Sequence, residues 1–127
     1  MTTITVEWRH LDQAGRTCER CAETGAGLKK VVAALQTQCR PKGVEILFTE
    51  SLLDKDDIGQ SNLILINGRP LETMLSGALA SENSCCSCSR ITGRQESCRT
   101  LVMADQVYEA IPGEFIREAV CRVAGCC

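Results

Sequence analysis

The hydrophobic pattern of the first fifty residues constrains the fold more than any other feature of this chain. Residues 4–8 alternate between apolar and polar side chains, which predicts a strand with one buried face. Residues 17–39 repeat apolar side chains at steps of three and four, which predicts an amphipathic helix, and the sequence at 40–43 ends it. The nearly continuous apolar run in residues 44–50 is typical of a buried parallel strand. The chain is therefore expected to begin with a βαβ unit.

The middle of the chain predicts a short return within the same sheet. Leu63 to Ile66 have a strand pattern, and Asn67-Gly68 is a strong signal for a tight turn. Pro70 limits the returning segment to an edge strand or a short excursion. Residues 71–80 have helical spacing with weak caps, so we expect a helical segment there.

The end of the chain predicts a hairpin followed by a helix. Residues 98–110 favour two strands that turn near Ala104-Asp105. Pro112 opens a helix that carries its apolar side chains on one face and ends at Gly125. The chain shows neither an internal repeat nor an interdomain linker, so residues 1–127 are expected to form a single domain.

Composition excludes several classes of function. A formal net charge of -2 provides neither a basic surface for nucleic acid nor a polybasic membrane patch. No apolar run approaches the roughly 20 residues that span a bilayer. The N-terminus lacks the basic and apolar regions of a signal peptide, so we expect a cytoplasmic protein. Ten cysteines in a reducing compartment favour thiol chemistry or metal binding over a disulfide scaffold.

The sequence Cys18-Glu19-Arg20-Cys21 lies at the first turn of the predicted long helix. The partial positive charge of a helix N-terminus favours a thiolate, and Arg16 and Arg20 add positive charge nearby. Two thiols at this spacing form a disulfide or bind one soft ion. The alternative is that both cysteines simply belong to the buried face of the helix.

A second cluster of thiols lies in a segment that has little to bury, at about residues 81–98, which we call the cysteine-rich insert. One local site would leave a metal ion three-coordinate unless Cys18 or Cys21 supplies a further thiolate. Soft thiolates select Zn(II), Cu(I), Hg(II) or an iron–sulfur cluster, and three of them also suit trivalent arsenic. The alternative is a loop held by one or two disulfides in oxidised protein. The candidate metal ligands of the insert are Cys85, Cys86, Cys88 and Cys98.

The remaining cysteines have weaker predictions. Cys126 and Cys127 at the C-terminus are candidate relay thiols that carry an ion or electrons, or else part of a disordered tail. Cys39 lies eighteen residues after Cys21 along one helix, which is about 27 Å, so it cannot join the first motif. We interpret Cys121 as a buried helical residue, and His10, the only histidine, as a strand-end residue rather than a ligand.

These motifs together resemble the thioredoxin-like superfamily. The first strand, the sequence CERC opening a helix, VEILFTE and SNLILINGRPLE match its order over the first half of the chain, and YEAIPGEFIREAV resembles its closing helix. The insert resembles a cysteine-rich prokaryotic branch known mainly as a domain of unknown function. The resemblance implies an α/β, thioredoxin-like fold in which a central mixed sheet of four to five strands has flanking helices and the cysteine-rich insert.

The resemblance also implies roles for the two motif cysteines, with one departure. It implies that Cys18 is the exposed nucleophile and Cys21 the resolving thiol. Thioredoxin-like enzymes place a cis-proline before the third strand, where the aligned residues here are Ser61 and Asn62. A proline there helps to keep metals away from the thiols, so its absence favours soft-ion binding.

Two functions follow from the sequence. The first is a thiol–disulfide oxidoreductase that uses Cys18 and Cys21 and acts on a redox partner protein. The second is a protein that binds a soft metal or metalloid ion, zinc or another thiophilic ion, through the two motif cysteines and the insert. Neither hypothesis defines the oligomeric state.

Overall fold

The computed structural model describes residues 2–12, 19–53, 62–84, 93 and 97–126. The chain forms seven strands, two α-helices and two short 3₁₀ turns within these ranges. In order they are β1 (Thr2–Leu11), α1 (Glu19–Cys39), a 3₁₀ turn (Arg40–Lys42), β2 (Val44–Leu53), β3 (Leu63–Ile66), β4 (Arg69–Pro70), a second 3₁₀ turn (Leu71–Met74), β5 (Leu79–Ser84), β6 (Ser97–Met103), β7 (Gln106–Tyr108) and α2 (Gly113–Ala124).

β1 is a central strand of a four-stranded mixed sheet with the order β2-β1-β3-β4. It pairs in parallel with β2 along its whole length, from Thr2 opposite Val44 to Leu11 opposite Leu53. β3 pairs with the other edge of β1 in the antiparallel direction. A parallel connection requires a crossover, which α1 provides. The predicted βαβ unit and the mixed sheet are therefore confirmed.

The expectation that β2 is buried on both faces is wrong. Ile46 is 2% exposed, whereas its neighbour Leu47 is 44% exposed. β2 is the edge strand of the sheet, and its side chains alternate between a covered and an open face over residues 44–47. Its apolar run therefore reflects strand composition rather than burial on both sides.

A separate antiparallel sheet with the order β5-β6-β7 contains the predicted hairpin. β6 and β7 turn at Ala104 and Asp105, whose φ angles of 52° and 64° suit a two-residue turn of type I′. The turn prediction is confirmed, but the hairpin does not extend the central sheet.

The prediction of a helical segment over residues 71–80 is mostly wrong. Only Leu71–Met74 form a 3₁₀ turn, and β5 begins at Leu79. Gly77 between them has a φ of 76°, a left-handed conformation that ends regular helical geometry. β5 instead forms the first strand of the cysteine-rich insert, and Ser84 pairs with Ser97 across its base.

The core lies between the central sheet and the two helices. Aliphatic side chains make up most of it. The apolar face of α2 contributes three residues that are fully buried, and its end at Gly125, with φ 67°, is confirmed. Within the described ranges, neither helix is long and apolar enough to cross a membrane. The most deeply buried aliphatic side chains are Ile4, Val6, Leu11, Leu28, Leu35, Ile66, Ile116 and Val120.

Candidate functional site

The N-terminal turn of α1 contains Cys21. The helix begins at Glu19, and Cys21 is 0% exposed within the hydrophobic core. The first backbone N–H groups of a helix have no partner inside it, so this end carries partial positive charge. Cys18, the predicted nucleophile, lies outside the described residues. The structure therefore places the second cysteine of the motif at the helix end, as the sequence predicts.

Thr24, one helical turn beyond Cys21, is the centre of a buried hydrogen-bond network. The Asn62 Nδ2 group donates to Thr24 Oγ1 at 2.9 Å, and the Ile111 backbone N–H donates to the same oxygen at 3.0 Å. The Trp8 indole N–H donates to Asn62 Oδ1 at 3.1 Å. Thr24, Asn62 and Trp8 are each 3% exposed or less. The network joins β1, the start of β3 and the segment before α2 to the first turns of α1.

Asn62 is one of the two residues, with Ser61, that the resemblance aligns with a cis-proline. It directly precedes β3 and has a φ of 66°, a left-handed conformation that asparagine adopts more readily than most residues. Its side chain bridges Trp8 and Thr24. The resemblance identifies Asn62 only by the missing proline, and the sequence does not identify Thr24 as its partner. A sequence signal for this network is Trp8, because a buried indole N–H needs a hydrogen-bond acceptor.

His10 lies beyond Trp8 on the same inner face of β1. The two rings stack with their centroids 3.8 Å apart, and His10 is 3% exposed. His10 Nε2 lies 2.6 Å from Glu50 Oε1, and Nδ1 lies 3.2 Å from the Leu11 carbonyl oxygen. A carbonyl oxygen only accepts, so Nδ1 carries the hydrogen in that bond. These contacts agree with the interpretation of His10 as a strand-end residue held by β2.

Cys126 lies at the opposite end of α1 from Cys21. Cys126 forms a disulfide with Cys39, the last residue of α1, and both side chains are 0% exposed. Lys42 Nζ and Gln38 Nε2 donate to the Cys126 carbonyl oxygen at 2.8 and 3.3 Å. In this state Cys126 is a structural crosslink, so a relay role requires reduction of the bond. The rest of that prediction, Cys127, lies outside the described residues.

The other thiols contribute less to a described site. Cys121 on α2 is also a disulfide cysteine, which the sequence does not predict. The backbone of Cys98 lies in β6 opposite Asn83. Within the described ranges, no three side chains of histidine, cysteine, aspartate or glutamate form a group that suits a metal ion. The predicted ligands Cys85, Cys86 and Cys88 lie outside those ranges, so the metal prediction stays a prediction.

Comparison with known proteins places the chain in a family. An uncharacterized protein of Archaeoglobus fulgidus is 37% identical over 117 residues, which cover 89% of this chain and 82% of that protein. No solved structure matches the chain at a significant level. A family model matches residues 4–120, almost the whole described fold, and the expectation of a domain of unknown function is confirmed. The chain belongs to the family described as domain of unknown function DUF2703.

Proposed function

We propose that the protein is a thioredoxin-like thiol–disulfide oxidoreductase whose redox centre is Cys18 and Cys21. The order of β1, α1, β2 and β3 along the chain supports a thioredoxin-like fold, because the resemblance depends on that order. The parallel pairing of β1 with β2 supports it as well.

The observation that carries the proposal is the burial of Cys21 in the first turn of α1. A side chain that is 0% exposed does not meet the disulfide of another molecule directly. Cys18 is three positions earlier in the sequence, a spacing at which two thiols form a disulfide, so we assign Cys21 the reaction with a sulfur held at Cys18. This burial supports the assignment of Cys18 as the attacking thiol and Cys21 as the resolving thiol.

The reaction balances between the two thiols and one substrate disulfide. The Cys18 thiolate attacks one substrate sulfur, and the other substrate sulfur leaves as a thiolate that takes up a proton. The Cys21 thiolate then attacks the Cys18 sulfur, which releases the second substrate thiolate. The substrate gains two electrons and two protons, and the protein retains a Cys18–Cys21 disulfide.

Replacement of each motif cysteine by serine tests this assignment. With Cys21→Ser, the mixed disulfide on Cys18 cannot be resolved, so we expect a stable adduct by intact mass after incubation with a peptide disulfide. Cys18→Ser is the matched control, because it makes the same change three residues away and should form little adduct. Equal trapping by both variants would contradict the assigned roles.

Soft-ion binding is the competing function, and Asn62 is the observation that favours it. The resemblance aligns Ser61 and Asn62 with the proline that helps to keep metals away from the thiols of thioredoxin-like enzymes, and neither residue is proline. Native mass spectrometry of anaerobically purified protein, with a thiol count, separates the two functions. The oxidoreductase predicts metal-free protein that loses two thiols at Cys18 and Cys21 on mild oxidation. An ion bound at a fixed ratio, lost when Cys18 and the insert cysteines are replaced, would support the competing function.

A further inference from the structure

His10 is a buried titratable side chain that the proposed reaction does not use. It is 3% exposed, and its ring stacks on Trp8 with the two centroids 3.8 Å apart. Its Nδ1 atom faces the Leu11 carbonyl oxygen at 3.2 Å, and its Nε2 atom faces Glu50 Oε1 at 2.6 Å. The ring is therefore held at both nitrogens, in a fixed orientation on the inner face of β1.

Both ring nitrogens of His10 face atoms that accept hydrogen bonds. A carbonyl oxygen and a carboxylate have no hydrogen to donate, so each contact requires the hydrogen to be on the ring. A ring with hydrogens on both nitrogens is the imidazolium, which carries a positive charge. The face of an indole ring attracts a cation, and Trp8 provides such a face. The geometry therefore favours a cationic His10 beside an anionic Glu50.

The His10 ring lies at the level of Cys21. Trp8, two residues earlier in β1, approaches α1 at Gly25, where an added Cβ atom would lie 2.7 Å from Cζ3 of the indole. α1 crosses back from the end of β1 to the start of the parallel strand β2, so it runs antiparallel to β1. Four residues back along the helix span about 6 Å, and two residues forward along the strand span about 6.6 Å. These two steps run in the same direction, from Gly25 to Cys21 and from Trp8 to His10.

Cys21 needs a compensating charge in order to react. The resolving step requires its thiolate, but a side chain that is 0% exposed in an apolar core favours the neutral thiol. The N-terminal end of α1 supplies part of the compensation. A cation beside the sulfur supplies more, because water screens the attraction between buried charges only weakly.

The opposite charge of Glu50 does not cancel this effect. The side chain of His10 is 4% exposed, whereas that of Glu50, on the edge strand β2, is 34% exposed. Water therefore screens the carboxylate more strongly than it screens the buried ring. Glu50 keeps the second proton on His10, and the imidazolium is the charge that acts on the core.

We propose that His10, held in its charged form by Glu50, stabilises the thiolate of Cys21. It thereby sets the redox equilibrium of the motif pair, a role that rests on the proposed oxidoreductase function. Cys21 carries a negative charge only in the reduced protein, so a cation beside it favours the reduced form. The Cys18–Cys21 disulfide is then a stronger oxidant than it would be beside a neutral residue. His10 acts through Cys21 and does not itself react.

Equilibration of the whole protein with glutathione tests the proposal. Two electrons pass from two glutathione thiols to the Cys18–Cys21 disulfide, glutathione disulfide forms, and the protons of the two thiols pass to the protein or to water. Samples at increasing ratios of reduced to oxidised glutathione are quenched with acid and alkylated. Mass spectrometry of the peptides that contain Cys18 and Cys21 gives the reduced fraction of this pair and leaves out the other cysteines.

His10→Gln removes the charge and keeps a side chain that forms hydrogen bonds. We expect its equilibrium constant for reduction by glutathione to fall about tenfold, the low end of what one nearby charge does to an ionisation equilibrium, or about 30 mV for a two-electron couple. Lys29→Gln is the matched control, because Lys29 Nζ lies 5.9 Å from the centre of the Trp8 ring but the residue is exposed to water. It removes the same charge, and its constant should stay within about twofold of that of the original protein.

Glu50→Gln is a second variant, on a side chain that is partly exposed and so less able to disturb the core. We expect it to lower the same equilibrium constant, because the ring then loses the anion that keeps its second proton. A rise would show that the carboxylate itself repels the thiolate, and it would overturn the proposal. Urea unfolding of each reduced variant checks that it folds.

The remaining results separate this role from the function on which it rests. A fall of about tenfold in His10→Gln, with little change in Lys29→Gln, supports the proposal. An unchanged equilibrium in His10→Gln, or an equal fall in Lys29→Gln, would overturn it and leave the oxidoreductase function standing. A protein in which no Cys18–Cys21 disulfide forms at any glutathione ratio would overturn the function itself, and this role with it.

Discussion

Glu7 lies on the outer face of β1, where its carboxylate accepts two hydrogen bonds. Arg9 Nε donates to Glu7 Oε2 at 2.8 Å, and the Ser51 hydroxyl donates to the same oxygen at 2.9 Å. The hydrogen bond from Arg9 lowers the pKa of Glu7 below its usual value, partial burial acts in the opposite direction, and Ser51 adds to the lowering. The ionised form is therefore the one that stabilises the fold.

We expect Glu7→Gln to cost stability at neutral pH but not in acid. A carboxyl whose folded pKa is depressed contributes stability above its unfolded pKa of about 4.3, and this stability is lost as pH falls through the folded value. The side chain is 25% exposed, so the difference at pH 7 should be only about 0.5–1 kcal/mol. Urea midpoints at pH 7, 5 and 3 measure it. Glu45→Gln on the exposed face of β2 is the control. A stability difference between Glu7→Gln and the original protein that stays the same at all three pH values would refute the prediction.

At the scale of single residues, the sequence predicts the thiol of the site better than its surroundings. The spacing of Cys18 and Cys21 and the helical pattern after them place Cys21 in the first turn of α1. Thr24 and Asn62 were not predicted as partners, because they are 38 residues apart and no local pattern records that contact. The ion pair between Arg99 Nη2 on β6 and Glu72 Oε1 in the second 3₁₀ turn depends in the same way on tertiary structure.

At the scale of elements, a glycine on α1 sets how closely the helix approaches β1. A Cβ atom added at Gly25 would lie 2.7 Å from Cζ3 and 3.0 Å from Cζ2 of Trp8. Trp8 in turn donates to Asn62, so the ring has little freedom to move. The packing of the helix on the sheet therefore depends on the missing side chain.

We expect Gly25→Ala to lower the free energy of unfolding by about 1–3 kcal/mol, because it overpacks the core against Trp8. Gly27→Ala is the matched control on the same helix, since the nearest atom to its added Cβ is 3.9 Å away. That change should raise stability by about 0.5–1 kcal/mol through helix propensity. Thermal or urea unfolding measures both, and Trp8, the single tryptophan, reports the packing by fluorescence. Equal effects of the two substitutions would contradict this account of the helix–sheet contact.

Elements with strong local signals were predicted correctly, and those decided by tertiary pairing were not. The apolar run predicts the strand at residues 63–66, and the residue types Asn67-Gly68 predict the turn. Pro112 and the helical spacing of apolar residues after it predict the last helix. β5 was not predicted, because the apolar spacing of residues 71–80, which include its first two residues, fits a helix. Only the pairing with β6 makes this segment a strand. The edge position of β2 likewise depends on the order of strands in the sheet.

At the scale of the whole molecule, the Cys39–Cys126 disulfide links the end of α1 to the end of the chain across 87 residues. A crosslink that closes a long loop reduces the conformational freedom of the unfolded chain. Gln38 and Lys42 bind the Cys126 carbonyl, and Arg117 Nη2 donates to Gln38 Oε1 at 2.6 Å. These contacts hold the C-terminal segment beside α1 and α2.

We expect replacement of both Cys39 and Cys126 by alanine to lower the free energy of unfolding by roughly 4–5 kcal/mol, the value of the chain-entropy model for a loop of this length. Guanidinium unfolding without reductant measures the loss. With excess dithiol present, the original protein and the variant should converge, because both then lack the crosslink. A difference that persists in reductant would show that packing of the two sulfurs, rather than loop closure, is the source of the stability.

The same bond gives the oxidised polypeptide a covalent shape of its own. Residues 39–126 form a closed ring, and residues 1–38 form an arm attached to it. The arm carries β1, a central strand of the four-stranded sheet, together with the CxxC motif, whereas β2 through β7 and α2 belong to the ring. A single proteolytic nick inside the ring leaves one molecule tethered by this bond, whereas this bond does not retain a fragment cut from the arm. An oxidised sample can thus carry a single break in any strand from β2 to β7, or in α2, and still migrate as one species until it is reduced.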